Sequence, residues 1–194
     1  MDKCSIIEFF DRLAPQWDAG TVKDDGIIGL ILDNAGVTAG RHVLDVACGT
    51  GVLIPYYLAR DAASVTGVDI SPNMAAEAEK KFPQEQVRIV CGDAEEISFG
   101  RCFDCIVVYN AFPHFPEPER LTARLSSLLA PGGTLTVAHG MSREKIDAHH
   151  RGAADHVSRG LMSADELAAV FGKYLTVTTA ISDDRMYQVA GRKE

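Results

Sequence analysis

Val43-Leu44-Asp45-Val46-Ala47-Cys48-Gly49-Thr50-Gly51 decides how this chain folds. An apolar run goes straight into a turn of small residues, with an acid just before the turn. Such a turn lets backbone come close to a ligand where a Cβ would obstruct it. At the carboxyl end of a strand in an open α/β sheet, that ligand is typically a nucleotide or something nucleotide-like.

Outward from this turn, strands alternate with helices. Upstream, helical spacing marks 3–14 (Ile6, Ile7, Phe9, Phe10, Leu13) and 26–35 (Ile27, Ile28, Leu30, Ile31, Leu32), with Gly36 as a stop. The first strand covers 42–46 and a helix is expected over 52–59. A second strand over 64–68 ends at Asp69, and Ser71-Pro72 then reads as an N-cap plus a proline at the first helical position. A third strand, 87–91, ends at Gly92-Asp93. The fourth, 103–109, is a nearly unbroken apolar run, as suits a strand covered on both faces. A helix over 118–129 stops at Pro131-Gly132-Gly133, before a fifth strand over 134–138. Helices are expected over 142–159 and 163–171, the second with a capping box of Ser163 and Glu166. Two alternating runs, 175–181 and 186–191, joined by Asp183-Asp184, form an antiparallel hairpin.

This alternation implies a doubly wound α/β fold with a mostly parallel sheet and helices on both faces. The ligand crevice then lies beyond the carboxyl ends of the strands. Ala47–Gly51, Asp69, Asp93, Asn110 and His139 all fall at such ends.

Composition narrows the partners. The chain has 194 residues, 46% hydrophobic and 24% charged, which is ordinary for a globular domain and fits one domain, 1–194. A formal net charge of −8 without a basic run argues against nucleic acid. Five cysteines, mostly inside apolar strand-like runs, read as reduced, buried thiols in a cytoplasmic protein. No signal peptide and no apolar stretch of about 18 residues is present, so no membrane span is expected.

The first three strand ends share a chemistry. Gly49 and Gly51 open a crossover helix whose amides favour partial negative charge. Asp69, at the tip of the second strand, can hold both hydroxyls of a ribose. Asp93 can accept from an adenine amino group. Each acid could instead be a plain turn or helix cap. A dinucleotide site carries G-x-G-x-x-G, but Ile54 stands where the third glycine belongs. Asp45 would moreover repel a pyrophosphate while suiting the ammonium of a methionine.

"LDVACGTG", "VTGVDISPNMAAEAEKK", "VRIVCGDAEEISF", "FDCIVVYNAFPHF" and "LAPGGTLTV", in this order, resemble the successive motifs of the class I S-adenosylmethionine-dependent methyltransferases. The similarity runs from about His42 to Ala138. "FFDRLAPQWD" is similar to the N-terminal helix of the small-molecule branch that includes ubiquinone/menaquinone methyltransferases. The resemblance implies a seven-stranded sheet in the order 3-2-1-4-5-7-6, last strand antiparallel. Residues 1–40 would be a helical lid, 41–140 the cofactor-binding core and 141–194 the acceptor-side helices and hairpin. It implies S-adenosylmethionine as cofactor, S-adenosylhomocysteine as product, a small-molecule methyl acceptor, and a monomer or homodimer. Asp45, Ala47, Gly49 and Gly51 would then line the methionine half. Asp69 would bind the ribose, Ile70 and Met74 would pack on the adenine, Asp93 and Ala94 would hold its edge, and Asn110 would sit near the methionine. Ala47 departs from the family's usual glycine, which implies a conformation open to a residue with a Cβ. A non-catalytic module that binds the same cofactor as a sensor would carry the same motifs.

Transfer from a sulfonium needs no metal and no covalent enzyme intermediate; a base matters only where the accepting atom must lose a proton. Five of six histidines follow residue 110. His114 is the first choice for an acid/base or substrate-orienting group and His139 the second, against the alternative that each packs or caps a loop. Ile146, His149, His150, Ala153 and Val157 share a helix face, so His149 and His150 are further acceptor-side candidates. Trp17, with Phe9 and Phe10, is expected to cover the site. Metal binding by His139, His149, His150 and His156 is set aside, because adjacent histidines suit coordination poorly. Cys102-x-x-Cys105 has no second pair to complete a zinc site.

Overall fold

The computed structural model describes residues 2–150 and 155–194, without the side chains of residues 149, 150 and 155. Seven strands form one sheet: β1 (His42–Val46), β2 (Ser64–Asp69), β3 (Val87–Cys91), β4 (Phe103–Tyr109), β5 (Leu129–His139), β6 (Thr176–Ser182) and β7 (Tyr187–Arg192). Their order is β3-β2-β1-β4-β5-β7-β6. β1 to β5 pair in parallel, and β7 runs antiparallel to both β5 and β6.

Alternation along the central strands splits the apolar residues between two layers. Leu44, Val46, Ile106 and Val108 face one core with Leu121 and Leu125 of α6 (Pro118–Ser127) and Leu167 and Phe171 of α8 (Ala164–Phe171). Val43, Cys105 and Val107 face the other, with Ile28, Ile31 and Leu32 of α3 (Asp25–Asn34) and Ile54 and Tyr57 of α4 (Ile54–Leu58). Asp45 alternates in step with Val43 and is carried into this second layer. Gly67 pairs with Asp45, and a Cβ there would sit 2.9 Å from Cys48 Sγ and 3.0 Å from Ile89 Cδ1. That fit keeps β2 close under the turn.

The remaining helices are α1 (Lys3–Leu13), α2 (Trp17–Gly20), α5 (Pro72–Lys81) and α7 (Arg143–His150). Ser71 caps α5 by accepting from Met74 N, and Ser163 and Glu166 form the reciprocal capping box of α8. Among the described residues no helix is long and apolar enough to cross a membrane.

Several sequence expectations need correction. α4 is shorter than 52–59, because the chain turns through Val52 and Leu53 before it winds. α6 stops at Ser127, and β5 begins at Leu129 instead of 134. Pro131-Gly132-Gly133 is a bulge carried inside the strand: Phe103 pairs with Leu129 and Cys105 with Thr134. Gly133 permits this, since a Cβ would lie 2.9–3.0 Å from three carbonyl oxygens. The helix expected over 142–159 is α7 as far as His150; Asp155–Val157 is a 3-10 turn, and 151–154 lie outside the described residues. Of the five free thiols only Cys48 and Cys105 are buried; Cys4, Cys91 and Cys102 are exposed. Cys91 ends the edge strand β3, which has a neighbouring strand on one side only.

Candidate functional site

A cavity of about 740 Å³ opens at the carboxyl ends of the strands. Its floor is made by Ala47 and Gly49 after β1, Asp69 and Ile70 after β2, and Asp93 and Ala94 after β3. Tyr109, Asn110 and His114 follow from β4, and His139 from β5. Phe9, Phe10 and Trp17 of the N-terminal helices form the opposite wall.

The turn after β1 is held by backbone strain and by one carboxylate. Ala47 has φ 53°, Gly49 55° and Gly51 86°. Ala47 therefore sits in the left-handed region after all, at a cost of about 1–2 kcal/mol for an L-residue. Gly49 N donates to Asp69 Oδ2 at 2.7 Å, and Ser71 N donates to Asp69 Oδ1 at 2.9 Å. Burial raises the Asp69 carboxyl to about 6, although both amides favour its charge. Each oxygen keeps a lone pair for a hydroxyl from the cavity.

Two expected contacts lie elsewhere. Asp45 is 2% exposed and does not line the cavity. Its Oδ2 has no hydrogen-bond partner, and burial first, the Asp69 charge second, push its carboxyl up to about 8. The strand's alternation turns it down toward Tyr57 and α4. Gly51 also lies off the cavity: a Cβ there would strike Phe82 and Ile54. It is glycine for packing as well as for its positive φ.

Asp93 accepts from Glu95 N at 2.9 Å through Oδ1, and its Oδ2 pairs with Lys3 Nζ. Arg120 holds Glu95 with two hydrogen bonds, 2.8 and 2.7 Å, which fixes this loop against α6. Met74 is 1% exposed beside the cavity, next to Ile70.

On the other side the wall is apolar with a few polar groups. His114 Nδ1 lies 2.7 Å from the Val157 carbonyl, which can only accept. The proton is therefore on Nδ1, and Nε2 of the neutral ring is the lone-pair atom. Phe10 meets the His114 ring edge-on at 4.9 Å, and Trp17 meets Phe10 at 5.7 Å. Asn110, at φ 54°, accepts from Gly140 N at 3.0 Å through Oδ1, and its side chain also hydrogen-bonds the Tyr109 hydroxyl. His139 is 2% exposed and packs on Tyr187 at 5.9 Å. The side chains of His149 and His150 lie outside the described residues; His156 is exposed, stands edge-on to Phe9 at 5.6 Å and does not line the cavity. Among the described residues no group of three or more His, Cys, Asp or Glu is placed to hold a metal ion.

The arrangement is an acid at the ends of β2 and β3 along a floor, with small residues at the turn after β1. Residues 43–133 match the family model described as "Methyltransferase domain". Residues 43–133 thus carry a methyltransferase-domain sequence, and the chain is similar to class I S-adenosylmethionine-dependent methyltransferases. It is 33% identical over 143 residues to the ubiquinone biosynthesis O-methyltransferase of Coxiella burnetii, covering 70% of this chain and 61% of that one. The chain thus spans about three-fifths of that relative's length. Its fold is that of the N-methyltransferase NodS of Bradyrhizobium japonicum, solved with S-adenosylhomocysteine (TM-score 0.76, 16% identity, 96% and 97% of the two chains). The Haloferax volcanii chain solved in complex with the Trm112 methyltransferase activator shares it too (TM-score 0.80, 19% identity, 97% of each chain).

The residues present fit the cofactor of this methyltransferase family. A nearly buried carboxylate, Asp69, lines the cavity and would suit ribose hydroxyls, and a second, Asp93, would suit an adenine amine. Between them the apolar Ile70 and Met74 suit a flat base.

The signals that sequence reading missed are the ones made at long range. Tyr109 lines the cavity although it ends an apolar strand, Glu95 lines it from within a motif that suggests no role for it, and Lys3 lines it from a segment that carries no motif.

Proposed function

We propose that this chain transfers a methyl group from S-adenosylmethionine to a hydroxyl oxygen of a small, uncharged, flat acceptor, with His114 as the base. Residues 1–40 act as the lid, 41–140 as the donor-binding core and 141–194 as the acceptor side of one domain. The bound donor supplies a sulfonium methyl, which an oxygen can displace in line. The chain's own residues bind, orient and desolvate. Asp69 holds the ribose hydroxyls; Asp93 and Ala94 hold the adenine edge, flanked by Ile70 and Met74. Ala47, Gly49 and Asn110 border the methionine, while Asp45 acts from below through the turn. Trp17 and His139 wall the acceptor.

The observation that carries the base assignment is the 2.7 Å contact between His114 Nδ1 and the Val157 carbonyl. It fixes the tautomer in which Nε2 can take a proton from the acceptor as the new bond forms. The surrounding Phe10, Phe115, Met141 and Ile146 offer apolar surface, which disfavours a charged acceptor. The name of the relative at 33% identity, an O-methyltransferase, supports oxygen as the accepting atom. The exposed thiols Cys4, Cys91 and Cys102 suit a reducing compartment, the cytoplasm.

The test is formation of S-adenosylhomocysteine by the purified chain with phenol, quinol, amine and thiol acceptors. Turnover is expected with phenols or quinols. Turnover confined to amines would overturn the oxygen assignment. Tight donor binding without turnover on any acceptor would turn the reading to a sensor.

A further inference from the structure

After β4 the chain runs through Asn110-Ala111 into a 3-10 turn, Phe112–His114, and on to Phe115-Pro116. Within this turn His114 N donates to the Ala111 carbonyl at 3.0 Å and Phe115 N to the Phe112 carbonyl at 3.1 Å. The carbonyls of Pro113 and Pro116 are both taken by one distant residue, Arg159. Its backbone N donates to the Pro113 carbonyl at 2.8 Å, and its guanidinium Nη1 donates to the Pro116 carbonyl.

Arg159 lies midway between two buried anchors. Val157, fully buried, packs with Ile6 and Phe9, and Leu161, 1% exposed, joins the layer of α6 and α8. α7 holds Leu161 by both backbone groups: Arg143 Nε donates to its carbonyl at 2.8 Å, and its amide donates to Asp147 Oδ1 at 3.0 Å. Residues 157–161 therefore form a strap, tied to α7 at Leu161 and to the turn of His114 at Arg159. The other end of the strap carries the Val157 carbonyl, which meets His114 Nδ1 at 2.7 Å. A guanidinium on a carbonyl makes a charge-assisted hydrogen bond, stronger than one between neutral groups. Together with the backbone bond beside it, this fixes the strap against the turn at two points.

We propose that Arg159 is the positioning residue of His114: by tying the strap to Pro113 and Pro116 it keeps the Val157 carbonyl on Nδ1, and so keeps the proton off Nε2. The proposal goes beyond the reading of His114 as the base and rests on it. The tautomer of a neutral imidazole is set by the hydrogen bond that its other nitrogen makes. Released into water, the ring favours the proton on Nε2, the nitrogen that a base needs bare. Arg159 does not itself line the cavity, so it acts through the strap and not by touching a ligand.

The test reads the tautomer directly, on the free protein with isotope-labelled histidine. Long-range proton–nitrogen correlation at about pH 8, where an ordinary imidazole is neutral, reports which nitrogen of each ring holds the proton. His114→Gln identifies the signals that belong to His114. Wild type is expected to carry the proton on Nδ1, and Arg159→Ala to mix the two tautomers. Arg159→Lys keeps a cationic donor for the Pro116 carbonyl and should return most of the wild-type pattern. Turnover follows the fraction of protein in the productive tautomer, so kcat on a phenol should fall about fivefold or more in Arg159→Ala. Its Kd for S-adenosylhomocysteine should stay within about twofold of wild type, which also shows that the variant is folded. A proton held fully on Nδ1 in Arg159→Ala would overturn the proposal. Mixed tautomers with undiminished turnover would uphold the strap and sink the base reading alone. Wild type protonated on Nε2 would overturn both.

Discussion

At the ends of β2 and β3 each cavity-lining acid accepts from backbone amides near it in sequence; at the ends of β4 and β5 the polar side chains depend on backbone far along the chain. Asp69 is fixed by the amides of Gly49 and Ser71, and Asp93 by that of Glu95, all within 20 residues. His114, by contrast, is fixed by Val157, 43 residues on, and Asn110 by Gly140, 30 residues on. The donor half is therefore a local device that can be carried from protein to protein. The acceptor half is assembled by the whole fold, and that is where one methyltransferase can differ from the next.

The comparison breaks first at His114. If its imidazole is the base, His114→Ala should lower kcat by about 10²–10⁴ while leaving affinity for S-adenosylhomocysteine within about twofold. His114→Gln keeps a group of similar length but cannot take the proton, so it should be nearly as slow. Loss of donor affinity in either variant would mean that the two halves are not separable at this residue.

The complementary change is Asp69→Ala. It removes hydrogen bonds to a charged acceptor and also frees Gly49 and Ser71, so donor affinity should fall about 100-fold by calorimetry. Affinity held within about threefold would remove Asp69 from the ribose.

Legibility in the sequence follows the same division. Strand ends, the Ser71 and Ser163 caps and the order of the sheet could be read, because each rests on a residue and its close neighbours. The burial of Asp45 could not: it follows from β1 standing between β2 and β4, which turns every second side chain into the layer of α3 and α4. The bulge at Gly132-Gly133 looked like a stop because a Pro-Gly-Gly run ends most elements, and only pairing with Phe103 and Lys193 keeps it in the sheet. Lys3 and Asp18 carried no signal at all, since a surface charge says nothing about a partner 90 or 63 positions away. The proton on His114 was equally hidden. Which nitrogen holds it is decided by a carbonyl in a turn that helical spacing had placed inside a continuous helix.

The buried acids under the donor half give a pH dependence of known sign. The folded-state carboxyls of Asp45 and Asp69 are raised to about 8 and about 6, above the ordinary value near 4. The native state therefore binds more protons than the unfolded chain across that window, so stability of the unliganded protein falls as pH rises from about 4 to about 8. Chemical denaturation at pH 5.5 and pH 8 should differ by about 1–3 kcal/mol, after each unit is counted at about 1.4 kcal/mol and reduced for relaxation around the buried groups. Asp45→Asn should remove most of the difference. A slope of the opposite sign would show that ionised Asp45 has a partner in solution, most simply the Tyr57 hydroxyl.

The smallest effect is expected at Ala47, and it tests whether the donor turn is as self-contained as the comparison holds. At φ 53° the alanine gives up about 1–2 kcal/mol relative to a right-handed or extended conformation. Glycine would escape that cost but would lose about 0.5–1 kcal/mol in unfolded-state entropy. The balance makes Ala47→Gly stabilising by up to about 1 kcal/mol, a rise in Tm of about 2–4 °C for a chain of this size. Because Ala47 offers the cavity only a methyl group, donor affinity should change by less than about threefold. A fall in Tm would mean that the Cβ contributes more to the layer of α6 and α8, against which Ala47 packs, than its backbone strain takes away. The turn would then be part of the core as well as part of the site, and its chemistry would no longer be local.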